Sequence, residues 1–148
     1  MEELFNDMQR QIATQLGDAV SLIDEDYGQL EALMNGEDQY PVTFPCVLVG
    51  APEVTWRCLG GDTQQGTCTL TVRLAFDCYD DTHYSSGQEG KAAERLSLSK
   101  KLNKNIHLWK FKGCARVMVR KHTRSFSLPG GIKVYEHTYE TDVVEIGR

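Results

Sequence analysis

Between Thr67 and Tyr79, Cys68, Leu70, Val72, Leu74, Phe76 and Cys78 alternate with Thr67, Thr69, Thr71, Arg73 and Asp77. A period of two sends successive side chains to opposite faces, so this segment is a long strand. One face needs a core and the other tolerates water, which is how an antiparallel sheet with helices on one side behaves. The rest of the chain must supply those helices and the neighbouring strands.

Leu4, Phe5, Met8, Ile12 and Leu16 recur at near-helical spacing and predict a first helix over about 3–16, with Glu2 and Glu3 at the positive end of its dipole and Gly17 as a stop. Ser86-Gly87-Gln88-Glu89 matches a capping box. It opens a predicted second helix over about 87–108, whose stripe is Ala92, Leu96, Ser99, Leu102, Ile106 and Trp109, with Lys100, Lys101 and Lys104 toward its negative end.

Between the helices, Val20 to Asp24 reads as a short strand and Gln29 to Leu33 as one helical turn. The apolar, β-branched run 44–50 reads as a buried strand and Glu53 to Cys58 as a short extended piece before a Gly60-Gly61-Asp62 turn. Strands at 115–124 and 132–144 close the chain as a hairpin around Ser125 to Gly131. The order helix, strands, helix, hairpin predicts a single α+β domain over 1–148, a mainly antiparallel sheet with two helices packed on one face.

Composition narrows function by exclusion. With 41% hydrophobic and 25% charged residues the chain reads as globular. A net charge of −5 argues against tight phosphate-backbone binding, which draws on an excess of Lys and Arg. Apolar runs of a few residues fall far short of the ~20 that cross a bilayer, so no membrane partner is expected. The Met1-Glu2-Glu3 start lacks the basic region of an export signal. Cys46, Cys58, Cys68, Cys78 and Cys114 contain no C-x-x-C pair and read as reduced, buried thiols.

Candidate chemistry is sparse. Asp77, Asp80, Asp81 and His83 are the densest carboxylate and histidine cluster, but their spacing is not that of a Ca²⁺ loop, and a solvated loop is the simpler reading. His107, His122 and His137 lie on separate elements without metal-ligand spacing. Neither G-x-S-x-G nor a phosphate-binding G-x-x-x-x-G-K-[ST] is present, so no catalytic, metal or cofactor residue is expected and the chain does not read as an enzyme. Arg116, Arg120, Lys121, His122 and Arg124 form a basic strand, the one feature that suits a small nucleic-acid-binding module. Pairing across the hairpin with Glu136, Glu140 and Asp142 explains the same charges at roughly 0.2–1 kcal/mol per pair.

The run Tyr40-Pro41-Val42-Thr43-Phe44-Pro45-Cys46-Val47-Leu48-Val49, then Trp56, Leu59-Gly60, Gln65-Gly66-Thr67 and Thr71 to Asp77, and finally Val134-Tyr135-Glu136-His137-Thr138-Tyr139-Glu140-Thr141, resembles the tail terminator (tail completion) proteins of long-tailed bacteriophages and prophages. The likeness covers nearly the whole chain, with Cys46 where Ala is commoner. It implies a subunit of the virion tail, made in the bacterial host cytoplasm. Copies would form a ring, expected to be a hexamer, that caps the tail tube, ends its polymerisation and offers the surface to which the filled head attaches. Partners would be further copies, the tail-tube protein and a head-completion or connector protein, with DNA passing through the lumen unbound. Another head–tail connector or minor tail protein would share the composition.

A cyclic ring needs two different patches on each subunit. The segments longer or more apolar than chain reversal requires are the turn from Arg57 through Gly60, Gly61 and Asp62 to Gly66, the Asp80 to Gly87 loop with Asp81 and His83, and the Phe126 to Gly131 tip. Phe126 and Leu128 on that tip either meet a partner or tuck under the sheet.

Overall fold

The computed structural model describes residues 1–34, 42–78 and 90–147. In chain order the elements are α1 (Glu2–Leu16), β1 (Leu22–Glu25), α2 (Gln29–Met34), β2 (Cys46–Val49), β3 (Glu53–Gly60), β4 (Thr63–Asp77), α3 (Gly90–Lys104), β5 (Val119–Leu128) and β6 (Ile132–Ile146). The capping box at 86–89 and the residues Asp80, Asp81 and His83 lie outside the described residues.

β4 is the spine. Its partner β6 runs antiparallel along its whole length, from Thr63 opposite Ile146 to Asp77 opposite Ile132. Its other edge is shared: β2 pairs with 72–75 and β3 with 63–69, both antiparallel. The sheet order is β1-β2-β4-β6-β5 with β3 on β4, and only β1–β2 is parallel. This is the mainly antiparallel α+β architecture that the alternation predicts.

The alternating face of β4 carries the main core. Cys68, Leu70, Val72, Leu74 and Phe76 pack in one cluster with Leu4, Met8, Ile12 and Leu16 of α1 and Leu102 of α3, so both long helices lie on that face. The four α1 residues recur every four positions, which puts them on one side of the helix. β4 starts at Thr63 rather than Thr67, because β3 and β6 on its two edges supply hydrogen bonds to the Gln64-Gln65-Gly66 stretch, which has no apolar alternation of its own.

Five expectations are corrected. The second helix, as described, ends at Lys104, so Ile106 and Trp109 belong to the turns beyond it. Ser99, Leu102 and Ile106 are buried as expected, but Leu96 and Trp109 are exposed and Leu98 takes the place facing the core. The strand expected at 115–124 is β5 at 119–128. Residues just before it make turns, with Cys114 in an isolated bridge to Val143.

The extra length of β5 shortens the hairpin loop to Pro129-Gly130-Gly131 and draws Phe126 and Leu128 into the sheet opposite Val134 and Ile132. There they pack on a second, smaller core on the far face, formed by Leu30 of α2, Cys46, Leu48, Ala75, Ile132 and Val134. Of the two alternatives for Phe126 and Leu128, tucking against the sheet is the one observed: both are half-buried and neither stands on an exposed tip. Finally, only Cys46 and Cys68 are buried thiols; Cys58 is exposed, and Cys78 and Cys114 are intermediate.

Candidate assembly surface

β4 and β6 each run for 15 residues, roughly 50 Å of strand at ~3.3 Å per residue. α1 and α3 are also 15 residues long, but a helix of that length covers only about 22 Å. Among the described residues the two helices therefore leave part of the spine uncovered. Its far end, joined by β3, forms a three-stranded ribbon whose burial fades toward the Gly60–Gly61 turn.

Both turn glycines have positive φ, 132° and 57°, as a tight reversal between right-twisted strands requires. Gly66, opposite Trp56 in the register, is required for another reason. A Cβ there would collide with Val54 Cγ1 and lie 2.9 Å from Trp56 Cε3, so its absence is what lets the two β3 side chains cross the ribbon.

The predicted site residues Arg57, Gly60, Gly61 and Asp62 gather at this ribbon end, and all four are exposed. Arg57 donates to Gln65 Oε1 at 2.8 Å, and the Asp62 carbonyl accepts from Gly147 N–H at 3.1 Å, which ties the turn to the end of β6. Phe126 and Leu128 are not part of this group, since they pair with the opposite end of β6. Leu59, inside the predicted turn, is 55% exposed, and beside it stand two apolar residues that the sequence reading missed, Val144 at 39% and Ile146 at 77% exposure. Val144 and Ile146 continue the face of Glu140 and Asp142. Two apolar side chains directly after the polar Glu136, Thr138, Glu140 and Asp142 of the same face were the signal available in the sequence.

Between the ribbon end and the smaller core, that face carries a charge network. Arg73 lies 2.8 Å from Glu31, 2.9 Å from Glu136 and 3.5 Å from Asp26, and Arg124 reaches Glu136 at 2.7 Å. Burial pushes the Glu136 carboxyl up, but the guanidinium groups of Arg124 and Arg73 outweigh it and hold it below the usual range. The Arg124 guanidinium also lies 4.8 Å above the Phe126 ring. At the neighbouring end Arg116 pairs with Asp142 at 2.8 Å and Glu140 at 3.3 Å. Two charges of the basic strand are thus matched across the hairpin as expected, while Arg120, Lys121 and His122 face solvent.

On the helix face, buried His137 lies with Nε2 2.9 Å from Ser99 Oγ and Nδ1 2.9 Å from Thr123 Oγ1. Tyr139 donates to Asn103 Oδ1 at 2.9 Å. These bonds fasten α3 to the sheet. Burial lowers the His137 pKa to about 4, so the ring is neutral at pH 7. Among the described residues no group of three or more His, Cys, Asp or Glu could hold a metal ion, and no helix is long and apolar enough to cross a membrane.

The chain is similar to a chain of the virion of a native gene transfer agent (GTA) particle. The TM-score is 0.51 at 11% identity, over 98% of this chain and 100% of that one. At that identity the similarity establishes a shared fold. No protein-family model matches the chain, and no curated protein matches it.

Proposed function

We propose that the chain is a structural subunit of a phage-like particle, and within that class a tail terminator. Copies form a ring, a hexamer on the resemblance above, that closes the tail tube, ends its growth and presents the head-attachment surface. The observation that carries the reading is end-to-end similarity in fold to a chain of a gene transfer agent virion. The tail terminator resemblance in the sequence narrows it from particle protein to tube end.

The ribbon supplies a physical rationale. Leu59, Val144 and Ile146 expose apolar surface that the subunit's own core does not need, and exposed apolar patches on a folded domain mark contact sites. On the polar face, ion pairing of Arg73, Arg116 and Arg124 and a net charge of −5 leave little free cationic surface to hold DNA that passes through.

The test is to incubate the purified protein with purified tail tubes and image the tube ends by electron microscopy. Rings at one end, with tube elongation arrested, are expected. Leu59→Asp together with Ile146→Asp should leave stability within about 0.5 kcal/mol, as exposed substitutions usually do, and abolish capping. Absence of rings and of tube-end binding across the accessible concentration range refutes the terminator reading. Binding to isolated head connectors alone assigns the chain to another head–tail joining protein.

A further inference from the structure

Just beyond α3 the chain makes an abrupt turn. Leu108 has φ 66°, a left-handed conformation that a leucine keeps only where its surroundings enforce it. Two hydrogen bonds do so: Leu108 N–H donates to the Met118 carbonyl at 2.6 Å, and Met118 N–H donates to the Trp109 carbonyl at 2.9 Å. The outcome is not burial. Leu108 is 62% exposed and Trp109 47%, and exposed Lys104, Lys110 and Lys112 surround them in sequence. A constrained backbone thus presents an apolar knob with a basic border.

On the other flank of α1 lies an apolar cleft between that helix and the β2–β3 connection. Phe5, Val49, Ala51, Pro52 and Leu70 line it, and exposed Glu25 places a carboxylate at its border, beside Glu2, which pairs with the Met1 ammonium at 3.3 Å. Knob and cleft are matched in character, one apolar with lysines and the other apolar with glutamates. They cannot meet within one subunit. The knob is fastened to the start of β5, where Arg120 N–H donates to His107 Nδ1 at 3.0 Å. The cleft adjoins β1 and β2, and β1 and β5 are opposite ends of the sheet order. α1 stands between the two, its Asp7 carboxylate accepting from Lys112 N–H at 3.0 Å on the knob side while Phe5 faces the cleft.

We propose that Leu108 and Trp109 of one copy dock in the α1/β2–β3 cleft of a second copy. Two different patches at opposite edges make a heterologous, head-to-tail contact, which repeats into a ring or an open chain. The contact deepens the ring reading above and rests on it for closure. The lysine and glutamate borders set orientation, and the Trp109 ring supplies the apolar anchor.

Site-directed cross-linking of the full chain tests it, in a Cys58→Ser background that removes the exposed thiol. Ala51→Cys and Lys110→Cys are made separately and treated with a short bis-maleimide, with near-UV circular dichroism confirming the fold of each. A mixture of the two variants should give covalent dimer at least ten-fold above either alone, and both substitutions in one chain should give a ladder. Adding Trp109→Ala to the Lys110→Cys chain should reduce the yield about ten-fold. In chains without new cysteines, Glu25→Lys or Lys110→Glu should each weaken self-association, and the double exchange should restore it.

No dimer up to millimolar protein overturns the proposal, as does equal dimer from Lys110→Cys alone, which marks a two-fold contact. Rings on tube ends without the ladder refute this contact and leave the terminator reading standing. A ladder without tube capping does the reverse.

Discussion

His137 is 1% exposed and held neutral between Ser99 and Thr123, which makes stability depend on pH in a defined window. Its pKa falls from 6.5 to about 4 on folding. Between those values the unfolded chain binds a proton that the folded chain does not, so stability is complete above pH 6.5 and declines as pH falls toward 4. At ~1.4 kcal/mol per pH unit the decline has a ceiling of about 3 kcal/mol; hydroxyl groups able to accept from an imidazolium reduce it to about 2 kcal/mol. Glu31 and Glu136 have depressed pKa values, so their contributions are lost mainly below pH 4.5, and stopping the titration there isolates the histidine.

Urea denaturation at half-unit steps from pH 7 to 4.5 measures the effect. With a urea m-value of 1–3 kcal/mol/M the midpoint should fall by about 1 M. His137→Gln can retain a polar contact with Ser99 but cannot titrate, so it should be less stable at pH 7 and much flatter with pH. Parallel curves for the two proteins would refute the assignment.

Leu74 is fully buried in the main core, so Leu74→Ala should cost about 2–5 kcal/mol by lost burial and a residual cavity, read from the urea midpoint; a shift below that range removes the residue from the core. Gly66→Ala should displace Trp56, changing tryptophan fluorescence and costing about 1–3 kcal/mol as an overpacked contact. An unchanged spectrum and midpoint would show that the ribbon yields without resistance.

How much was legible in the sequence differs sharply by element. The face of β4 that meets the helices, and the α1 stripe of Leu4, Met8, Ile12 and Leu16, follow from spacing alone, because a period of two or of 3.6 is a local property. Arg124 opposite Glu136 was also readable once a hairpin was expected. The position of β5 was not. Its shift to 119–128 is set by the register with β6 and by the apolar far-face residues Ile132 and Val134, which need Phe126 and Leu128 as cover. The candidate surface divides in the same way. Glycines at 60 and 61 announce a turn by their own chemistry. The gathering of Leu59, Val144 and Ile146 beside it depends on pairing 63 with 146 across most of the chain, and the Leu108–Trp109 knob depends on its bonds to Met118. Periodicity records which way a side chain points within its own element, whereas register and long-range hydrogen bonds decide what it meets, and those exist only in the folded chain.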